Sequence, residues 1–417
     1  MPPKQKDIDV REASVRIFIL RNLLRVDWML PVFVVALAVV GFVTLYSATL
    51  ESGSGLLVRQ IAFFCFGSVL ATVILCTDYR FTVALAPLFY IGAIGLLVWV
   101  LFMAEVRKGS ERWIDLGLFL LQPSEVAKVA LIYGLTWYLS KVGQRIRSLH
   151  WFLLTFVVAA VPMALILKQP NLGTAASLAP LTVVMLFVAG CRIRHLLALV
   201  LLGSTLLPYV WFEMRDFNPE TEEYLAANER GKQVIMDKMK ADYQNNRAFY
   251  DLHWHQKMRI YTFLHPEADP RGSAWQPEQS KITVGSGGLK GKGFLKGEMT
   301  RLRYLPEHHT DFIFSTLAEE RGFIGAAVVI GLFTAMLLRG LMFARDCPEM
   351  MGTLLASGVV TILAFHVFVN IGIAVGLLPV TGLPLPFLSY GGSFYMATMA
   401  CVGVLLSVPM RKRAFVY

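Results

Sequence analysis

Residues 29–50 read MLPVFVVALAVVGFVTLYSATL and contain no charged side chain. A helix rises about 1.5 Å per residue, so about 20 apolar residues cross a hydrocarbon core of roughly 30 Å. Unpaired backbone groups in lipid cost several kcal/mol each, and a helix pairs them within the segment. This stretch therefore predicts a membrane-spanning helix.

Similar stretches recur along the chain, which is 56% hydrophobic and 16% charged over 417 residues. The predicted spans lie at 28–50, 56–77, 81–104, 121–140, 150–168, 171–189, 194–213, 322–344, 353–378 and 386–409. The sequence thus predicts an all-α, polytopic membrane protein of about ten transmembrane helices. The net charge of +10 then reflects anionic lipid and basic cytoplasmic loops, so we expect no nucleic-acid partner.

The basic residues orient the predicted spans. Those flanking the spans, such as Arg80, Arg345 and Arg411, fall on the same side as the basic N-terminal segment, and that side is the cytoplasm. The predicted organisation is a cytoplasmic N-terminal segment (1–27), spans one to seven (28–213), a large extracytoplasmic loop between spans seven and eight (214–310), spans eight to ten (311–410) and a cytoplasmic tail (411–417).

The large outer loop contains the run HPEADPRG at 265–272. Asp269 precedes Pro270, and a residue before proline does not readily continue a helix. The carboxylate is therefore held on a turn, from which it can point into a cavity. Asp269 is our candidate catalytic residue, and a simple turn-forming role is the alternative.

A basic, glycine-rich run follows at 281–293, KITVGSGGLKGKG. Glycines let backbone N–H groups approach an anion, and Lys281, Lys290 and Lys292 supply positive charge, so we expect a phosphate or pyrophosphate cradle. The run lacks the Lys-Ser/Thr ending of a Walker A loop, and a flexible glycine loop is the alternative.

The next polar block, LPEHHTDF at 305–312, places His309 and Asp311 just before span eight. Thr310 suits a helix N-cap, and Asp311 complements the dipole of the helix that follows. Five of the eight histidines fall in the outer loop, but without an HExxH pattern, so the sequence predicts no protein-ligated metal site.

A second polar block on the outer side reads QPSEVAK at 122–128. Pro123 suits the first position of a helix, which places Glu125 and Lys128 on one face within the membrane. Such a pair can satisfy itself, but ionisable residues at this depth more often line a functional cavity. Arg59, one turn into span two, either extends to the interface or projects into that cavity.

These polar motifs all fall in the outer leaflet. Carboxylates for proton transfer and cations for a diphosphate, placed next to lipid, describe a site for a polyprenyl-diphosphate sugar.

In combination the motifs resemble the SEDS family of cell-wall polymerases over residues 28–410. The blocks that carry the resemblance are RWIDLG (112–117), QPSEVAK (122–128), QPNLGT (169–174), EADPRG (267–272), QSKITVGSGGLKGKG (279–293), LPEHHTDFIF (305–314) and LPLPFLSYGGS (383–393). The run at 378–393 resembles the RodA branch of the family more than the FtsW branch.

The resemblance implies a peptidoglycan glycosyltransferase of the bacterial plasma (inner) membrane that polymerises lipid II for cell elongation and rod shape. It matches Asp269 to an essential aspartate and also selects Trp113, Glu125 and Lys128. It implies a class B penicillin-binding protein, a transpeptidase, as partner. A divalent cation, Mg²⁺ or Mn²⁺, is left open as a cofactor. The stretch 216–250 is an insertion of unassigned role.

Other functions fit the same motifs. A lipid II flippase would use the basic cavity without needing Asp269 as a base, and a non-catalytic scaffold for the transpeptidase would need neither. A septal polymerase of the FtsW type would share the chemistry but act at division.

Overall fold

The structure is a computed structural model of the chain. It describes residues 26–50, 55–103, 113–115, 117, 120–169, 171–205, 208, 211, 214, 234–236, 238–241, 243, 254–265, 274–301 and 309–411. Helices dominate this part of the chain, and its one sheet is a two-residue antiparallel pair, which confirms the all-α class.

The elements follow in chain order. They are α1 (Met29–Thr49), α2 (Leu56–Cys76), α3 (Tyr79–Ala84), α4 (Ala86–Met103), β1 (Ile114–Asp115), β2 (Leu120–Leu121), α5 (Pro123–Val142), a 3₁₀ helix (Gly143–Arg147), α6 (Leu149–Lys168), α7 (Leu172–Val188), α8 (Ile193–Ser204), α9 (Trp254–Leu264), α10 (Trp275–Ser286), α11 (Glu298–Arg301), α12 (Ile313–Asp346), α13 (Met350–Ala374) and α14 (Gly392–Arg411).

A helix lies at each of the ten predicted spans. Within the described residues six are long and apolar enough to cross a membrane: α1, α2, α6, α12, α13 and α14. The helices α4, α7 and α8 have apolar stretches of only 10–17 residues. The helix α5 carries charged residues. The multi-pass membrane fold is therefore established, while the count of ten spans stays a prediction.

Two of the helices at the predicted spans begin six or more residues away from the predicted start. The eighth predicted span begins at 322, but α12 already begins at Ile313, because a buried helical segment with two glutamates precedes the apolar part. The tenth begins at 386 in the prediction, whereas α14 begins at Gly392, because residues 383–391 form a buried, non-helical segment containing Pro384 and Pro386.

The chain divides into two compact units. The first unit comprises residues up to Cys191 together with 327–368 and 383–417. Its most enclosed span is α14, of which 83% is buried, whereas α2 is only 17% buried and presents apolar side chains outward. Gly403 allows α14 to approach α2 closely, since a Cβ there would lie 2.6 Å from the Ala71 carbonyl oxygen.

Ion pairs tie helix ends of the first unit together. Arg80 Nε donates to Glu349 Oε2 at 2.9 Å, and Arg339 Nε lies 3.1 Å from Asp27 Oδ2. Arg411 donates to the carbonyl oxygen of Cys76 at 2.9 Å, which satisfies an end of α2. Arg80 and Arg411, which the sequence places on the cytoplasmic side, thus have defined partners.

The second unit comprises residues 192–326 and 369–382. Its central feature is a break in α12 at Gly322, whose φ of 66° and ψ of −167° interrupt the helix. The segment 287–293 packs backbone to backbone against this break. A Cβ on Gly291 would lie 2.1 Å from the Glu320 carbonyl oxygen, so a side chain there has no room.

The same segment replaces the hydrogen bonds that the break removes. Lys292 and Gly293 N–H donate to the carbonyls of Glu319 and Glu320, each at 3.0 Å. On the other side, the N–H of Phe323 donates to Gly288 at 2.9 Å, and that of Ile324 to Leu289 at 3.2 Å. Both helix ends at the break are therefore capped by one loop.

Candidate active site

The catalytic candidate Asp269 falls within residues 266–273, which lie outside the described residues. Its flanks are described: α9 ends at Leu264, with His265 exposed after it, and α10 begins at Trp275. Residues 266–273 therefore lie in sequence between two helices of the second unit. The role of Asp269 as a base stays a prediction.

The buried Glu125–Lys128 pair begins α5. Pro123 occupies the first turn, as the sequence predicts, and the two charged residues follow on one helix face. Lys128 Nζ lies 2.9 Å from Glu125 Oε2, and the two residues are 4% and 3% exposed. The contact is an ion pair whose angles are not those of a hydrogen bond. Two opposite charges thus lie side by side in a buried environment inside the first unit.

His366 on α13 is the third member of this group, and no sequence motif singled it out. Its Nε2 lies 2.9 Å from Lys128 Nζ, and its Nδ1 lies 3.2 Å from the Pro384 carbonyl oxygen. The residue is 2% exposed. An ionisable side chain within a span was the available signal, because such residues are rare unless they serve a function.

The segment 383–391 is held by polar side chains, since a buried, non-helical backbone must find partners within the protein. Gln60 donates from Nε2 to the Ser389 carbonyl at 3.0 Å and accepts from Gly391 N–H at 3.4 Å. Ser389 Oγ in turn accepts from Leu385 N–H at 2.8 Å. Arg59, the neighbour of Gln60 on α2, is exposed.

Trp113 lies just before the β1–β2 pair and is half-buried. Asp115 in β1 accepts a hydrogen bond from Gly117 N–H at 2.8 Å, which closes the turn. The strand pair is joined to α14, because Ser393 Oγ accepts from Gln122 N–H at 3.0 Å. The segment that follows Trp113 is therefore held in place by hydrogen bonds and leads directly into α5, which carries Glu125.

The three lysines of the predicted phosphate cradle lie in different environments. Lys281 is on α10, a helix and not a loop, and forms an ion pair with Glu278. Lys290 is exposed in the segment that packs on the α12 break. Lys292 Nζ lies 2.9 Å from Glu319 Oε1, and Glu319 is fully buried. Gly287 and Gly291 have a packing role, since a Cβ on either would meet the backbone of α12. Phosphate binding stays a prediction.

His309 and Asp311 lie half-buried in the turn before α12. The Asp311 carbonyl oxygen accepts from Asn370 Nδ2 on α13 at 2.8 Å. Because α12 begins at Ile313, Thr310 lies within this turn and is not the residue that precedes the helix. Nearby, Arg259 of α9 donates to the Val380 carbonyl at 3.1 Å.

Within each unit the structure brings some candidates together. In the first unit Glu125 and Lys128 meet, with His366 added; in the second, Lys292 meets Glu319. In the described ranges no group of three or more His, Cys, Asp or Glu side chains is arranged to hold a metal ion. The divalent cation therefore stays a prediction with no ligand set assigned.

Comparisons with known proteins cover almost the whole chain. Residues 27–414 match the model of the FtsW/RodA/SpoVE family, described as cell cycle protein. The chain is 33% identical over 387 residues to the peptidoglycan glycosyltransferase MrdB of Escherichia coli, covering 93% of this chain and 94% of that protein. It is 38% identical over 393 residues to the probable peptidoglycan glycosyltransferase FtsW of Trichlorobacter lovleyi, covering 92% of each.

A solved structure supports the same relation. It comes from a peptidoglycan synthase complex described as coordinating polymerization and crosslinking. The superposition has a TM-score of 0.73 at 30% identity and covers 93% of this chain and 99% of that one.

Proposed function

Because the chain belongs to the FtsW/RodA/SpoVE family, we propose that it polymerises the glycan strands of peptidoglycan from lipid II. The observation that carries this proposal is the family match at 27–414. It is supported by relatives named as a peptidoglycan glycosyltransferase and a probable peptidoglycan glycosyltransferase, which align over 94% and 92% of their own length. The chain is an enzyme of this kind, embedded in a membrane by several spans. Its substrate and mechanism are the proposed parts.

In the proposed reaction Asp269 acts as the general base. It takes the proton from the 4-hydroxyl of the acceptor sugar, whose oxygen attacks the anomeric carbon of the donor. The C–O bond to undecaprenyl diphosphate breaks, and the diphosphate leaves with the bonding electron pair. A single displacement of this kind inverts the anomeric centre.

Base catalysis contributes about 10²–10⁴-fold, so the leaving diphosphate also needs electrostatic stabilisation. The candidates are Arg59, Lys128 and the basic residues at 281–303. The exposed residues Arg59 and Lys290 can reach an anion without breaking a described ion pair. Lys128 and Lys292 already form ion pairs with Glu125 and Glu319, so each ammonium would have to bind the diphosphate in addition to its carboxylate or in place of it.

Replacement of Asp269 tests the base. Asp269→Asn keeps the shape of the side chain but removes proton acceptance, so we expect glycan synthesis from purified lipid II to fall by at least about 100-fold. Lipid II binding should survive. The matched control is Glu267→Gln, which removes a carboxylate two residues away and should remain active. Polymerisation by the Asn variant at the wild-type rate would refute the assignment of the base.

The finer cellular role is also a proposal. We propose that the chain serves elongation and rod shape, from the run at 378–393, although its relatives include both RodA-type and FtsW-type proteins. A class B penicillin-binding protein is the proposed partner, supported by the likeness to a chain of a synthase complex. The location we propose is the bacterial inner membrane, with both termini cytoplasmic.

Complementation separates the two cellular roles. The chain should restore rod shape to cells depleted of their elongation polymerase and should not restore septation to cells depleted of their division polymerase. The opposite pattern would assign it to division.

A further inference from the structure

Glu125, Lys128 and His366 form a buried group in which His366 adds two polar contacts to the Glu125–Lys128 ion pair. All three residues are at most 4% exposed, and they belong to two different helices of the first unit. The His366 ring contributes one nitrogen to the Lys128 ammonium and the other to the Pro384 carbonyl. One side chain therefore connects the beginning of α5 with the buried segment 383–391.

The partners of His366 determine its protonation. A carbonyl oxygen only accepts, so Nδ1 carries the proton that is donated to Pro384. An ammonium only donates, so Nε2 must offer its lone pair to Lys128. His366 is therefore the neutral imidazole with the proton on Nδ1. In this form each ring nitrogen is satisfied.

His366 also gives the ammonium its direction. Glu125 attracts Lys128 at 2.9 Å but outside hydrogen-bonding angles, and the Phe394 ring lies beneath Nζ at 5.3 Å to its centroid. In the described part of the chain, His366 Nε2 is the only hydrogen-bond acceptor of this ammonium. Charge holds Lys128 in the group, while His366 fixes where it points.

We propose that His366 is a positioning residue for the glycosyl transfer, acting through Lys128. This inference rests on the proposed function, in which Lys128 stabilises the leaving diphosphate. The imidazole holds the ammonium in one orientation before the substrate arrives. Catalysis gains when such a charge needs no reorganisation during the reaction.

Two amide substitutions at His366 each keep one of its two polar contacts and remove the other. The amide of asparagine overlies Nδ1 and can still donate to Pro384, but nothing remains near Lys128. The amide of glutamine overlies Nε2, where its oxygen can accept from Lys128, but the Pro384 bond is lost. The two variants thus remove one contact each with similar polarity.

The experiment measures kcat and KM for lipid II polymerisation by the full chain with its transpeptidase partner, and the thermal unfolding of each variant. We expect His366→Asn to lower kcat on the order of 100-fold, since small misplacements of a catalytic charge have effects of that size. His366→Gln should stay within about threefold of wild type. A structural role would instead lower both variants in proportion to their stability, and that result would overturn the proposal.

A double-mutant cycle adds an independent readout. If His366 acts only through Lys128, His366→Asn should have no further effect on kcat in a Lys128→Met background. Additive losses would contradict the inference. If the wild-type chain with its partner makes no glycan, the proposed function itself fails. If the wild type is active and His366→Asn equals it, only the positioning role fails.

Discussion

Glu125 and Lys128 stand three residues apart on α5, and Glu278 and Lys281 stand three apart on α10. The two pairs have the same residue types and spacing but differ in burial. Side chains of the first pair are 4% and 5% exposed, whereas those of the second are 33% and 39% exposed. Burial determines how much the loss of one partner costs.

We therefore expect Lys128→Met to lower the free energy of unfolding by about 3–5 kcal/mol, because Glu125 is left as an unpaired buried charge. The control Lys281→Met should change it by less than about 1 kcal/mol, since water solvates Glu278. Thermal unfolding of the purified protein in detergent measures both. Equal effects would show that burial is not the deciding factor.

The pair of Arg80 and Glu349 makes a prediction about pH. The Arg80 hydrogen bond lowers the pKa of Glu349, and the Tyr79 hydroxyl, at 2.9 Å, adds to this effect. A carboxyl whose pKa is lower in the folded state stabilises the fold above its ordinary pKa. That stabilisation is lost as the pH falls through the lowered value.

Accordingly, the stability difference between the wild type and Glu349→Gln should be present at pH 7 and should shrink as the pH falls below 4.5, the ordinary pKa of a glutamate. Both side chains are about a third exposed, so the difference at neutral pH should be less than about 1 kcal/mol. Melting curves at a series of pH values measure it. A difference that grows in acid would contradict the assigned direction.

At the scale of elements, the break in α12 depends on Gly322. Its φ of 66° is unfavourable for other residues, and a Cβ would lie 2.3 Å from the Gly291 nitrogen. Gly331 lies on the same helix, and a Cβ added there would meet no neighbouring atom within 4 Å. The two glycines thus form a matched pair within one element.

Gly322→Ala should separate α12 from the segment 287–293 and destabilise the protein by more than about 2 kcal/mol, the sum of backbone strain and displaced contacts. Gly331→Ala should be neutral or stabilising by up to about 1 kcal/mol. Unfolding midpoints of the two purified variants decide the matter. A Gly322→Ala variant as stable as Gly331→Ala would mean that the break is not needed.

The sequence predicted elements where one physical effect dominated. Apolar runs located the spans, because the membrane demands both length and hydropathy. The start of α12 at Ile313 was missed, since buried glutamates at 319 and 320 resemble a polar loop until Lys292 and backbone N–H groups are seen to satisfy them. His366 was missed because a single polar residue in an apolar run gives no spacing pattern.

At the scale of the whole molecule, the orientation of the chain is still a prediction from basic residues. Lys290 is exposed in the segment predicted to be extracytoplasmic, and Arg345 is exposed near the end of α12 predicted to be cytoplasmic. Both sites can carry a reporter cysteine once the five native cysteines, all free, are replaced.

In intact cells, a membrane-impermeant maleimide should label Lys290→Cys but not Arg345→Cys. Permeabilised cells should show labelling at both positions, which controls for the reactivity of each thiol. Labelling of Arg345→Cys in intact cells would reverse the topology and place Asp269 on the wrong side for an extracytoplasmic reaction.

Four backbone N–H groups donate hydrogen bonds across the α12 break, and all four bonds depend on the same contact between loop and helix. Those of Lys292, Gly293, Phe323 and Ile324 all bond across the same surface, so a single separation of loop and helix exposes them together. In hydrogen–deuterium exchange they should lose protection at a common rate, although they come from segments about 30 residues apart. Two parts of the chain that are distant in sequence would then open as one cooperative unit.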